Sequence, residues 1–214
     1  MSESVYILGA GGHGKVVLDA LLASGVEVMG FLDPQPQTRA FLGVRVLGGD
    51  EYLNNLPTTE ICLVNGLGAN PHIFRRQKIF EIMKSRFFTF NHVQHPSAII
   101  SSAAKLGEGC QIMAGGILQP GVILGENVVI NTGCKVDHDC LIGSHAFIGP
   151  GVTLCGDIRI SNSVFIGAGA VVLPGISIGE NTIVGAGSIV TKSIPDGCIV
   201  VGNPAVKTGV NSNN

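Results

Sequence analysis

From Ile100 to Val190 every sixth residue of the chain is aliphatic, without a miss, through Leu106, Ile112, Leu118 and on to Ile178 and Val184. An α-helix repeats every 3.6 residues and a strand every 2, so neither produces a six-residue stripe. A coil with three short flat sides does, if each side contributes one inward side chain. Eighteen residues then complete one triangular turn, and the stripe spans about five turns. Two positions before the stripe the residues are mostly small or slender, as at Ala98, Ala104, Cys110, Gly116, Val122, Val128, Cys134, Cys140 and Ala146. A tight corner tolerates little else. One turn buries too little apolar surface to offset about 1–2 kcal/mol of backbone entropy per residue, so the turns must stack.

The stripe does not reach the first 95 residues, and the break near Pro96 predicts two domains, 1–95 and 96–207, with a flexible tail at 208–214. Across 214 residues, 45% are hydrophobic, 31 are glycine and 13% are charged, which fits a compact, turn-rich protein. The net charge is −2 and no basic cluster is longer than Arg75-Arg76, so nucleic acid is not an expected partner. The apolar runs are short and broken by glycine, and no signal peptide is evident, so a cytoplasmic protein with no membrane partner is expected. None of the six cysteines forms a C-x-x-C pair, and Cys110, Cys134 and Cys140 fall at the small inward position. They read as buried hydrophobes rather than disulfide or zinc ligands, and no metal is expected.

In the first domain, a β-type run at 5–8 leads into Gly9-Ala10-Gly11-Gly12-His13-Gly14 and a helical pattern through Val16, Val17, Leu18, Ala20, Leu21 and Leu22. A second strand at 26–32 ends at Asp33. Strand, glycine loop, helix, strand and acid follow the order of an α/β nucleotide-binding fold. Glycines let backbone N–H groups approach an anion, and the start of a helix favours negative charge there. A third strand at 61–64, a helix at 71–85 and a fourth strand at 87–93 leave room for little more than one mononucleotide half. That favours a diphosphate-bearing nucleotide over a dinucleotide such as NAD. Gly11, Gly12, His13, Asp33 and Pro34 are the candidate binding residues. The competing reading is a glycine loop that only closes a turn.

Within the repeats most segments are bland, but Asn131-Thr132-Gly133-Cys134-Lys135-Val136-Asp137-His138-Asp139-Cys140 sets a histidine between two carboxylates beside an apolar wall. An adjoining carboxylate raises an imidazole's basicity and fixes which nitrogen carries the proton, which suits it to take a proton from an attacking amine or hydroxyl. A surface turn without a role has the same spacing.

The hexads resemble the left-handed β-helix acyltransferases of the hexapeptide-repeat superfamily. With the glycine loop of residues 7–14, the Val-Asp-His-Asp-Cys segment, His95-Pro96-Ser97-Ala98 and Val201-Gly202-Asn203-Pro204-Ala205, the chain is similar to one branch of it. That branch holds the UDP-4-amino-sugar N-acetyltransferases of bacillosamine type, the GDP-perosamine N-acetyltransferases and the sialic acid O-acetyltransferases. The fold so implied is a small Rossmann-like α/β domain followed by an all-β left-handed parallel β-helix of hexapeptide repeats.

The resemblance implies acetyl-CoA as co-substrate, no metal, and transfer to the amine of a UDP- or GDP-linked amino-dideoxy sugar for bacterial surface glycan or glycoprotein synthesis. It implies His138 as general base, Asp139 as the acid that increases its basicity, and Asn131 near the reacting groups. Gly11, Gly12, His13, Asp33 and Pro34 match positions that hold the nucleotide sugar. Ala168 and Ala186 match positions that contact acetyl-CoA, and a homotrimer with active sites between subunits is implied. Many relatives carry a second histidine that contacts acetyl-CoA where this chain has Phe147, so Phe147 joins Ala168 and Ala186 among the expected acetyl-CoA-binding residues; His145, two residues earlier, stays outside the expected catalytic set. Alternative readings are O-acetylation of sialic acid or a related sugar, a zinc carbonic anhydrase-like protein, and a non-catalytic nucleotide sensor.

Overall fold

The computed structural model describes residues 4–69 and 74–211, the side chain of Asn55 excepted. They divide into two compact units, with the boundary between Pro96 and Ser97. No described helix is long and apolar enough to cross a membrane.

The first unit is built on a six-stranded sheet of order β3-β4-β2-β1-β5-β6. Its members are β1 (Ser4–Leu8), β2 (Val28–Leu32), β3 (Ala40–Phe41), β4 (Val44–Gly48), β5 (Ile61–Asn65) and β6 (Thr89–Phe90). All neighbours run parallel except β3 and β4. The crossovers carry α1 (Gly12–Ala23) and α2 (Arg75–Ser85). Because β1 pairs with β2 on one side and β5 on the other, the chain reverses direction across the sheet beside β1, which opens a crevice at the strands' carboxyl ends. Ile7, Leu18, Leu63 and Met83 are fully buried in the layers between sheet and helices.

The expected strand at 26–32 begins at Val28, and the expected strand at 87–93 narrows to Thr89–Phe90 and Val93–Gln94. Phe87 adopts φ 65° and is exposed, so the chain turns before β6 rather than within it. Of the helix expected at 71–85, the described part starts at Arg75, and residues 71–73 lie outside the described residues. Sequence reading assigns no helix or strand at 34–60, where the β3–β4 hairpin turns on Leu42 and Gly43, both at positive φ. That is the geometry of a two-residue hairpin loop, and only Gly43 advertises it.

The second unit is the coil that the stripe requires. One wall stacks Ile99–Ile100, Ile117–Leu118, Lys135–Val136, Thr153–Leu154, Val171–Val172 and Ile189–Val190, all parallel and eighteen residues apart. A second stacks Lys105–Leu106 through Ser177–Ile178, and a third runs from Gln111–Ile112 through Val129–Ile130, Phe147–Ile148 and Phe165–Ile166 to Ile183–Val184. All sixteen stripe residues pack into one core; Ile100 and Leu106 are only partly buried because the first turn has a neighbouring coil on one side alone. Cys110, Cys134, Cys140 and Ala146, two positions earlier, are fully buried.

The corners are turned by residues at positive φ, glycine at Gly115, Gly133, Gly151 and Gly169, but Asn127, Asp139, His145, Asp157, Ser163 and Asn181 elsewhere. At each corner an N–H donates to the carbonyl of the coil before, as Asp157 does to His138 O at 2.9 Å. This satisfies backbone groups that the walls cannot.

Thr208, Gly209 and Val210, expected in a flexible tail, instead belong to a strand, Val206–Val210, paired antiparallel with Cys198–Val201. Asn211 secures it through N–H to Gly197 O at 2.7 Å and Nδ2 to Asn181 O at 2.8 Å. The tail covers an edge strand that would otherwise leave its ladder groups unpaired, a need that polar composition does not signal. Residues 212–214 lie outside the described residues.

Candidate active site

A cavity of about 720 Å³ opens in the first unit at the carboxyl ends of β1, β2 and β5. Gly11, Gly12, His13, Asp33 and Pro34, the five residues expected to bind, all line it. The glycines of the loop play different parts. A Cβ on Gly14 would run into Gly9 O, so Gly14 is bare to let α1 pack on β1. Among the described residues, Gly11 and Gly12 have nothing within 4 Å of an added Cβ. The chain itself does not demand glycine there, and the open space belongs to the cavity. No side chain caps the start of α1, whose N-terminal residue Gly12 also lines the cavity. Such a helix start favours an anion.

Asp33 fastens this entrance. Its Oδ2 accepts the Ala10 N–H at 2.9 Å and its Oδ1 accepts the Gln35 N–H at 2.9 Å, tying the glycine loop to the segment after β2. Each carboxylate oxygen retains acceptor capacity.

Sequence reading missed three charged residues of the cavity: Asp50, Arg75 and Lys78. Arg75 and Lys78 lie on α2 three residues apart, with Ile79 and Ile82 on the same side, all lining the cavity. The predicted helix carried that signal, since i, i+3, i+4 and i+7 share a face. Burial pushes the Asp50 carboxyl up; Arg86 opposes this, and Glu51 and Asp33 add to it. The cavity thus has cations on one helix and carboxylates on the loops after β2 and β4.

In the second unit His138 and Asp139 form one corner of the coil. His138 Nδ1 lies 2.9 Å from Asp139 Oδ2. A carboxylate can only accept, so Nδ1–H donates and Nε2 keeps its lone pair. The Asp139 hydrogen bond holds the imidazole pKa above its ordinary value of 6.5, with the nearby charges of Asp137, Asp139 and Asp157 acting in the same direction. Asp137 Oδ1 is itself occupied by the His138 N–H at 2.8 Å. The ring is 59% exposed. It points outward from the coil, available to a reactant.

The other expected residues occupy a different corner. Asn131 begins the preceding corner, where its Oδ1 accepts the Thr132 N–H at 2.7 Å. Ala168 and Ala186 are exposed two and three coils along that same corner, with Gly187 N–H donating to Ala168 O at 2.8 Å. Phe147 lies on the wall that leads into it, stacked on Phe165 at 5.5 Å with planes 2° apart, and is nearly buried. His145 turns the third corner, its Nδ1 3.1 Å from Asn127 Nδ2. Between Asn131 and His138 runs one wall, whose four extended residues span roughly 13 Å.

The two cysteines of the His138 segment, Cys134 and Cys140, are unsuited to nucleophilic work. Burial pushes the Cys134 and Cys140 thiols up to about 11, and their Sγ atoms donate to Gly149 O at 2.9 Å and Cys155 O at 3.1 Å. Among the described residues no three His, Cys, Asp or Glu gather as metal ligands.

Residues 4–83 match the PglD N-terminal domain, and residues 121–156 and 157–192 match the bacterial transferase hexapeptide model of six repeats. Among solved structures, PerB from Caulobacter crescentus, in complex with CoA and GDP-perosamine, is 37% identical with a TM-score of 0.88, covering 96% of this chain and 97% of its own. Further structures of that GDP-perosamine N-acetyltransferase carry a histidine changed to alanine or asparagine. The acetyltransferase domain of PglB from Neisseria gonorrhoeae, in complex with acetyl coenzyme A, is 34% identical with a TM-score of 0.90 over 97% of this chain and 100% of that one. WeeI from Acinetobacter baumannii is 27% identical with a TM-score of 0.79 over 97% and 100%. No curated protein sequence matches the chain.

Proposed function

The chain belongs to the hexapeptide-repeat sugar N-acetyltransferases with a PglD-type amino-terminal domain and a left-handed β-helix, and on that premise we propose that it acetylates the amine of a nucleotide-linked amino-dideoxy sugar at the expense of acetyl-CoA. The observation that carries the mechanism is the His138–Asp139 pair, with Nδ1 committed to the carboxylate and the imidazole more than half exposed. The sugar amine attacks the thioester carbonyl carbon, and Nε2 takes the proton that the nitrogen sheds. The C–S bond then breaks, and the imidazolium returns its proton to the departing CoA sulfur. Positioned proton transfer of this kind contributes about 10²–10⁴-fold in rate.

In this reading the first unit binds the nucleotide diphosphate. Gly11, Gly12 and His13 face the phosphates at the start of α1, while Asp33 and Pro34 hold the nucleoside end. Arg75 and Lys78 supply charge to balance the diphosphate. Ala168 and Ala186 offer backbone to the CoA arm, and Phe147 lends the apolar surface that it shares with Phe165. Asn131, Ala168 and Ala186 share one corner of the coil and the base stands on the next. This supports a homotrimer in which the corner of one subunit completes the site of its neighbour.

The direct experiment incubates the protein with acetyl-CoA and, in parallel, UDP- or GDP-linked amino sugars or sialic acid, following free thiol together with product mass. The reading expects one thiol released per acetyl group gained by the sugar. Thiol release without an acetylated nucleotide sugar, or acetylation confined to sialic acid hydroxyls, would overturn it.

A further inference from the structure

We propose that Gly156 is a positioning residue for the general base: its bare Cα is the floor on which the imidazole of His138 rests. The inference builds on the function proposed above and adds a residue to it. At the His138 corner three coils stack as Pro120-Gly121, His138-Asp139 and Gly156-Asp157, joined by Asp139 N–H to Pro120 O at 3.1 Å and Asp157 N–H to His138 O at 2.9 Å. A Cβ added to Gly156 would lie 2.6 Å from His138 Nε2, 2.7 Å from Cε1 and 3.2 Å from Cδ2. These are well inside van der Waals contact. The Nε2 edge, where the proton is taken, is the part of the ring that would be pushed.

The backbone does not require glycine at this place. Gly156 lies outside the positive-φ region, unlike Gly121, Gly151 or Gly175. The series of first corner residues is also telling. From Ser102 every sixth residue reads Glu108, Ala114, Pro120, Glu126, Thr132, His138, Ser144, Pro150, Gly156, Asn162, Ala168, Pro174, Glu180, Ala186 and Lys192. Glycine occurs in it once, directly next to the histidine in the stack. The same edge of the coil carries proline at 120 and 174, so a side chain fits there whenever no imidazole lies over it. The carboxylate of Asp139 is accommodated in kind, since a Cβ on Gly121 would run into its Oδ1.

The ring is the end of a flexible, exposed side chain, so it can swing away from a new methyl group without disturbing the coil. Gly156→Ala therefore separates positioning from folding. The test records the titration of the His138 ring by NMR on the full-length protein, alongside Tm and steady-state kinetics, for wild type, Gly156→Ala and Gly156→Ser. Asp137, Asp139 and Asp157 are the carboxylates that act on the ring. A ring pushed off Asp139 titrates at lower pH. Expected are a Tm unchanged or slightly raised, as for Gly→Ala at a compatible φ, a His138 midpoint moved down in both variants, and kcat reduced at least tenfold. A wild-type midpoint, or wild-type kcat in either variant, would overturn the proposal. Failure of the wild-type protein to acetylate any nucleotide sugar would sink the functional reading instead, and the titration alone would then decide whether Gly156 sets the ring.

Discussion

Asp139 orients its own chain neighbour: the carboxylate reaches back to His138 Nδ1 at 2.9 Å because Asp139 turns the corner at φ 60°. Consecutive residues in a strand point to opposite faces and could not meet in this way. The left-handed conformation is one that Asp and Asn adopt more readily than other non-glycine residues. One residue thus both turns the coil and raises the basicity of the imidazole.

That pairing sets a pH dependence. The proposed base works when neutral, and Asp139 raises the pKa of His138, so activity is expected to decline as pH falls through that raised value. In Asp139→Asn the hydrogen-bonded charge is gone and the pKa drops back toward 6.5. The acidic limb of the kcat/KM profile should then move to lower pH, while kcat at neutral pH falls about tenfold. An unmoved limb would show that Asp139 only turns the corner.

The cations of α2 make a separate prediction about binding. If Arg75 and Lys78 balance a diphosphate, each alanine variant loses a charge-assisted contact worth roughly 1.5–3 kcal/mol when well formed, less at this exposure. Arg75→Ala and Lys78→Ala should each raise KM for the nucleotide sugar about three- to tenfold. KM for acetyl-CoA should stay within twofold, and added salt should shrink the effect. Kinetics at two ionic strengths check it.

The two kinds of glycine in the loop should respond in opposite ways. Gly14→Ala drives a methyl group into Gly9 O between α1 and β1, and overpacking of this sort destabilises by about 1–3 kcal/mol. Gly12→Ala meets no atom of the described residues and should leave Tm nearly unchanged while weakening nucleotide-sugar binding. Thermal melts and calorimetric titration of the two variants distinguish the roles.

The stripe made the coil legible because sixteen inward positions repeat one physical demand, and the glycine loop followed by Asp33 made the crevice legible through backbone geometry. Neighbouring residues were legible as well: His138 and Asp139 meet across a single peptide bond. What escaped depended on distant partners. Arg75 and Lys78 acquire meaning only when α2 packs over the crevice beside Gly11 and Gly12. Thr208 to Val210 become a strand only because Cys198–Val201 offers an edge. Gly156 looks like any turn glycine until the eighteen-residue stack lays it against His138.

The central claim, that the Nε2 of His138 takes the proton from the attacking amine, is tested most directly by His138→Ala in a steady-state acetyl-transfer assay paired with calorimetry of the nucleotide sugar. The account predicts a kcat at least about a hundredfold lower, with nucleotide-sugar affinity within threefold of wild type. A variant that keeps kcat within tenfold of wild type would contradict it.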